Sequence, residues 1–444
     1  MATGYLAQEV VSQQAGNASW MLISASLVLL MTPALALFYG GMSRQKSVLN
    51  MMMMSFGALG VVAIVYVLWG WSMSYGSQSI GGLFANPFEL FGLKDAIFDP
   101  SGEEFLISEN GYANIIDIGF QLTFAAISVA LISGALAERV KFGTWLIFVA
   151  LWVTVVYFPL AHMVWGGGIL AHEEFGFASW MFGTTDGEAT IAPIDFAGGT
   201  VVHISAGTAA FVLAVLIGKR KVFPFVAHRP HSLPLVMLGA ALLWFGWFGF
   251  NGGSALGANG EAGLAWLNTT VATAAAMLGW LAVEKIRDGH STSLGAASGV
   301  VAGLVTITPA AADLTPVTAI IIGVIGGILS ALGVGLKYKF GYDDSLDVVG
   351  VHLVAALWGT VGVGLLATDA GWFTGGGTDG LKLFIVQIVI AVVAMIISGL
   401  GTLLIGLLLK VTIGWRPENE DDYLGTDVIQ HGESAYDTTS AFLR

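Results

Sequence analysis

Apolar runs of about 20 residues, the length a helix needs to cross about 30 Å of hydrocarbon, recur along the chain between short charged or glycine-rich turns. Ile115 to Ala137 and Phe142 to Val164 are two of them. A hydropathy window of about 19 residues predicts helices near 19–41, 49–74, 115–137, 142–164, 196–217, 233–250, 262–284, 292–311, 316–336, 347–367 and 381–409. The pattern therefore predicts an all-α polytopic membrane protein with eleven transmembrane helices, divided into a transmembrane domain over residues 1–410 and a C-terminal tail over residues 411–444. The first 18 residues, up to Ala18, carry Glu9 and several glutamines but no basic residue, and no apolar core precedes Trp20. They read as a short mature tail, not as a signal peptide.

Composition narrows the class. Hydrophobic residues make up 56% of the chain, charged residues 11%, and the mean hydropathy is +0.80, which excludes a water-soluble fold. Glycine numbers 60 against 11 prolines, a ratio suited to helices pressed closely together where lipid supplies no hydrophobic push. Cysteine is absent, so no disulfide framework, thiolate metal site or thiol nucleophile can form.

Charge gives the topology. With the N-terminus outside, the cytoplasmic connections carry Arg44 and Lys46; Arg139 and Lys141; Lys219, Arg220, Lys221 and Arg229; Lys285 and Arg287; Lys337 and Lys339; and Lys410, Arg416 and Arg444. Fifteen of 17 basic residues then lie on one side, leaving Lys94 and Lys382 outside, as the positive-inside rule requires. The expected location is the plasma membrane, with the C-terminus cytoplasmic. The outer loops are acidic, with Glu89, Asp95, Asp99, Glu103, Glu104, Glu109, Glu173, Glu174, Asp186 and Glu188. They read either as ordinary solvated loops or as a field that gathers cations near a pore mouth, screened within about 8 to 10 Å.

An odd span count fits two inverted five-helix repeats plus a C-terminal helix. The fifth predicted helix opens with Asp195 and carries His203; the tenth opens with Asp347 and carries His352. Inverted repeats place functional sites near the bilayer midplane at the repeat interface. An intramembrane histidine is costly if charged and needs partners if neutral. Each of the two therefore reads either as a functional group or as a packed side chain bonded to a neighbouring helix, and spacing alone leaves both open. His162, in AHMVWGG near an outer helix end, reads as packing. Metal binding fits poorly, because neither histidine sits in an HxxH or HExxH array. Catalysis fits no better: Ser205, two residues after His203, points in another direction on the same helix. Asp195 lies eight residues, roughly 12 Å along a helix, before His203 and reads as a cap of helix-start donors. Asp347, five before His352, has the same capping reading. Aromatic residues gather at Phe120 and Phe124, in WFGWFGFNGGS from Trp244 to Ser254, and at Trp165, whose position alone suggests an interface anchor.

Segment DFAGGTVVHISAGTAAFVLAVLIGKR, from Asp195 to Arg220, resembles the signature of the Amt/MEP/Rh ammonium transporter family, in its Amt branch. TPALALFYGG (Thr32 to Gly41), GALAERVKF (Gly134 to Phe142), AHMVWGGG (Ala161 to Gly168), WFGWFGFNGGSA (Trp244 to Ala255) and DVVGVHLVAALWGT (Asp347 to Thr360) resemble further family motifs in the family's order. The resemblance implies the family's eleven-helix ammonium-transporter fold, an outside N-terminus and a trimer with one pore per subunit. It implies an outer ammonium-recruitment site at Trp165 and Ser254 with Phe124 beside it, a pore gate of stacked rings at Phe124 and Phe250, and twin lumen histidines at His203 and His352. Trp247 corresponds to a pore-lining tryptophan and Asp195 to the acid of the outer site. Ala355 and Ala356 depart from a stretch often richer in glycine, but touch none of these positions.

The implied function is uptake of ammonium or ammonia across the lipid bilayer by a pore that is not an enzyme, with no cofactor, no metal and no nucleic-acid partner. The tail from Trp415 through RPENEDDYLGTDVIQHGESAY resembles those that bind a trimeric PII-type signalling protein; it also reads as a merely solvated acidic tail. A second function class, an ammonium sensor or PII-docking scaffold with little flux, would be expected to carry an added signalling domain, whereas about 30 residues follow the last predicted helix.

Overall fold

The computed structural model describes residues 2–221, 223–225, 229–417 and 425–436. Among them, eleven helices are long and apolar enough to cross a membrane: α1 (Gln13–Met42), α2 (Gln45–Tyr75), α3 (Asn114–Leu136), α4 (Phe142–Trp165), α5 (Gly199–Ile217), α6 (Leu233–Gly253), α7 (Gly260–Asp288), α8 (Ser293–Ala310), α9 (Pro316–Phe340), α10 (Val349–Leu366) and α11 (Gly377–Thr412). All eleven apolar runs are helical, with ends shifted by a few residues. The N-terminal segment differs from expectation, since helix extends back to Ala2. Alanine, leucine, glutamine and glutamate, all strong helix formers, populate it. A short helix, α12 (Thr426–His431), lies in the tail, of whose PII-like segment residues 418–424 fall outside the described residues.

The connections bearing the acidic residues lie at one end of the bundle, here the acidic end, and those bearing Arg44, Arg139 and Arg220 at the other, the basic end. Two antiparallel hairpins, Ser79–Ile80 with Phe84–Ala85 and Thr184–Thr185 with Glu188–Ala189, fold the acidic-end loops.

Helices surrounded by lipid gain little from burying apolar faces against each other, so close approach and polar ties hold them. Gly323 and Gly327, one turn apart on α9, pack so tightly on α7 that a methyl at either would collide with the Ala272 and Ala276 carbonyl oxygens. Two indoles act as ties: Trp145 of α4 donates to the Met54 carbonyl of α2 at 2.8 Å, and Trp152 donates to Thr402 Oγ1 of α11 at 2.9 Å.

The inverted halves meet at α5 and α10. Each opens with a wide π-helical turn, Gly199–Ile204 and Val349–Val354, and each turn carries one histidine. Each lead-in is held by a break in the other half's helix. Phe196 N donates to the Pro309 carbonyl in the 3₁₀ turn ending α8 at 3.0 Å, and Leu346 N to the Gly134 carbonyl in the 3₁₀ turn ending α3 at 3.2 Å. Helix α11 lies outside the repeat and packs on both α5 and α10.

The cap of α10 corrects the sequence reading. Asp344, not Asp347, accepts from Val348 N at 3.1 Å and Val349 N at 2.8 Å. Asp347 sits at φ +64° and pairs with Lys337 Nζ at 2.6 Å. Its left-handed backbone turns the carboxylate toward the end of α9 and away from the amides it was expected to cap. Asp344 lies eight residues before His352, as Asp195 lies eight before His203, so the repeat register runs from Asp195 to Asp344.

The basic end is locked by a buried ion cluster. Arg139, 1% exposed, donates to the Gly218 and Asp343 carbonyls at 2.6 Å each, and Arg220 grips the Asp343 carboxylate with Nε at 2.9 Å and Nη2 at 2.8 Å. Arg44 pairs with Glu138 at 2.6 Å. Burial alone would raise the Asp343 carboxyl, but the Arg220 and Arg139 guanidiniums outweigh it and hold it below its ordinary value.

Candidate functional site: stacked rings above a histidine pair

Asp195 builds the acidic-end approach. Its carboxylate accepts from Gly198 N at 3.0 Å and Thr200 N at 2.9 Å, and also from Gly199 N and the Thr200 hydroxyl. These are the orphan donors of a helix start. Gly198, at φ +106°, lets the chain turn into α5, a backbone that side chains rarely adopt. Gln387 of α11 fastens the same lead-in, accepting from Ile194 N at 2.9 Å and donating to the Ile194 carbonyl at 2.7 Å and the Thr360 carbonyl at 3.0 Å.

With its carboxylate occupied, Asp195 uses its carbonyl to orient Trp165, whose Nε1 donates to it at 2.9 Å. The Trp165 ring stands edge-to-face with Phe124, centroids 6.2 Å apart at 86°. Phe124 of α3 stacks on Phe250 of α6, centroids 4.1 Å apart at 19°. Both rings are buried, at 1% and 0% exposure. Ser254, one turn beyond Phe250 at the end of α6, is half-buried and donates to the Phe250 carbonyl at 2.8 Å.

Beneath the Phe124–Phe250 stack the column continues. His203 lies 6.0 Å from Phe250 and stacks between Trp247 (5.4 Å, 13°) and His352 (5.5 Å, 16°), all centroid distances. Trp247 is fixed by its Nε1, which donates to Thr308 Oγ1 at 2.8 Å, and that hydroxyl also lies 3.2 Å from Asn251 Oδ1. The two imidazoles meet Nδ1 to Nδ1 at 3.4 Å. One Nδ1 must carry the proton and the other the lone pair, so the rings hold opposite tautomers. One Nε2 is then an acceptor and the other a donor. His203 Nε2 is buried with no hydrogen-bond partner. Such a pair presents one lone pair and one N–H to its surroundings, and it resists a second proton, which would set two N–H groups against each other.

The structure thus brings Phe124, Trp165, Phe250, His203, His352 and Trp247 into one column, with Asp195 and Ser254 at its acidic end. His162 stands apart, its Nε2 2.8 Å from Ser79 Oγ and its Nδ1 3.2 Å from the Ser74 carbonyl, pinning a loop. The sequence reading missed Gln387, Thr308 and Asp344. The eight-residue spacing from acid to histidine, repeated in both halves, was the signal that could have found Asp344.

Eleven spans in inverted halves, with a buried aromatic column and a histidine pair where the halves meet, fit a membrane transport protein. The chain matches the model of the Ammonium Transporter Family over residues 19–436 and belongs to that family. It is 50% identical over 443 residues to the "Ammonium transporter" of Mycobacterium bovis, covering 95% of this chain and 90% of that protein. Among solved structures, Candida albicans Mep2 superposes with a TM-score of 0.80 at 30% identity, covering 95% of this chain and 90% of that one. A structure described as "Sensor Amt Protein" gives 0.82 at 28% identity, covering 94% and 99%. This chain is an ammonium transporter.

Proposed function

We propose that ammonium is recruited at Trp165, Ser254 and Phe124, passes the Phe124–Phe250 gate, gives up a proton, and crosses the lumen as ammonia hydrogen-bonded to His203 and His352. The proton is relayed separately. The observation that carries this reading is the histidine pair, met Nδ1 to Nδ1 at 3.4 Å, directly beneath rings stacked at 4.1 Å.

The physical problem is to reject potassium, which matches ammonium in charge and size. The Trp165 face attracts either cation by roughly 0.5 to 2 kcal/mol and cannot separate them. An unpaired ion in an apolar lumen faces a large desolvation cost, whereas neutral ammonia loses only hydrogen bonds, which imidazole nitrogens can replace. Potassium has no neutral form.

In this reading the acidic end faces outside, the basic end and tail face the cytoplasm of a plasma-membrane protein, and three subunits assemble with one pore each. The tail is a docking surface for a PII-type protein. The likeness to the sensor structure supports a second reading, an ammonium sensor or PII-docking scaffold with little flux; measured flux separates the two.

His203→Asp tests the lumen. A carboxylate there would accept a cation as a partner, so potassium should begin to support current in proteoliposomes, with discrimination against potassium falling at least about tenfold. A folded His203→Asp protein that still carries ammonium and still excludes potassium would place discrimination elsewhere, at the phenyl gate.

A further inference from the structure

The acidic end of the bundle contains a cavity of about 450 Å³ lined by Trp71, Tyr75, Asp117, Gln121 and Trp165, among others. Asp117, Gln121 and Phe124 fall at i, i+4 and i+7 on α3, so they form one column along a single face. Seven residues at about 1.5 Å each put Asp117 about 10 Å beyond the gate ring, toward the acidic end.

Glu109 borders this space from the exposed loop before α3, and no group assigned so far gives it a buried negative charge. Trp165 offers a ring face and Ser254 a hydroxyl, while the Asp195 carboxylate is occupied by helix-start donors. Asp117 interacts with the Tyr112, Ser108 and Asn110 side chains and still borders the cavity. It is 9% exposed and lines the cavity, and the Tyr112 hydroxyl donates to its Oδ1 at 2.5 Å, fixing its rotamer. Gln121 Oε1 and Tyr75 Oη, both bordering the same cavity, are buried without hydrogen-bond partners. A carboxylate and two unsatisfied oxygens around an aromatic-walled space suit a small cation that can donate several hydrogen bonds. Ammonium and a primary alkylammonium share that chemistry. A carboxylate held at such depth is itself costly without a cation beside it.

We propose that Asp117, Gln121 and Tyr75 form a second cation-binding subsite, with Asp117 about two helical turns and Gln121 about one turn beyond the phenyl gate, that loads ammonium before it reaches Trp165. The subsite rests on the reading that ammonium enters through the Phe124–Phe250 gate. It accounts for how a neutral aromatic site can be filled at low ammonium, by raising the local concentration with a fixed charge.

The test measures initial ammonium uptake into proteoliposomes against concentration, at low and high salt, for the intact protein and for Asp117→Asn, Asp117→Glu and Tyr112→Phe. Asp117→Asn should raise the half-saturating ammonium concentration at least about tenfold at low salt, hold the maximal rate within about twofold, and flatten the salt dependence. Asp117→Glu should restore most of the affinity. Tyr112→Phe, which removes the hydroxyl but keeps the carboxylate, should stay within about threefold of the intact protein. Wild-type half-saturation in Asp117→Asn would overturn the subsite. So would equal losses in Asp117→Asn and Tyr112→Phe, because the bond would then serve only to hold the loop. Absence of ammonium uptake by the intact protein would instead overturn the transport reading beneath it.

Discussion

At Trp165 the indole N–H is committed to the Asp195 carbonyl, so in the proposed recruitment site the ring face is the group that would meet a cation. Trp165→Leu keeps apolar bulk but removes that face. Half-saturating ammonium should rise by about 2- to 30-fold, the equivalent of the cation–π energy, with less change in saturating flux. An unchanged concentration dependence would make Trp165 an interface anchor only. Asp343 invites a stability measurement, since its removal strands the buried Arg139 guanidinium. Asp343→Asn should cost about 3 to 5 kcal/mol, read as a lower unfolding temperature in detergent. The Asp343 carboxyl is held below its ordinary value, so its stabilisation is fully present above about pH 4 and is lost as pH falls through the folded value. The deficit of the Asn variant should therefore shrink in acid; a deficit independent of pH would contradict the charge pairing. The sequence exposed His203 and His352 because ionisable residues stand out in apolar runs. It hid Asp344 because Asp347 lies nearer to the histidine, and only a backbone angle decides which acid faces the helix start.

Among elements, the eleven spans were legible because each is an apolar run long enough to cross a bilayer on its own. The π-helical turns were not, nor were the 3₁₀ breaks ending α3 and α8. They depend on contacts between halves, such as Leu346 N donating to the Gly134 carbonyl, that no local pattern encodes. Helix α12 is a further case. Asp427 accepts from Leu49 N at 3.1 Å and Asn50 N at 2.8 Å, so a tail residue caps the start of α2, while Gln430 accepts from Phe142 N at 3.0 Å at the start of α4. Asp427→Ala should cost about 0.5 to 2 kcal/mol and speed amide exchange over residues 425–436. Unchanged exchange there would show that the cap does not hold the tail. Deleting the tail from Trp415 to Tyr436 should abolish capture of a PII-type protein; equal pull-down by the truncated and intact chains would remove that partner.

At the scale of the whole molecule, hydropathy gives the eleven spans, and the charges support that odd count and mark a basic end, because one missed span would scatter the basic residues over both faces. What they could not give was the pairing of α5 with α10 that brings His203 to His352, a product of inverted packing. The central claim is that this column passes the nitrogen of ammonium and rejects an ion of equal charge and similar size. The direct measurement is reconstitution into proteoliposomes with simultaneous recording of current and lumenal pH, under matched gradients of ammonium and potassium. Ammonium should give a response in current, in lumenal pH or in both, that protein-free vesicles lack, and potassium should give none. Equal responses to the two cations, or no ammonium response above protein-free vesicles, would contradict the account.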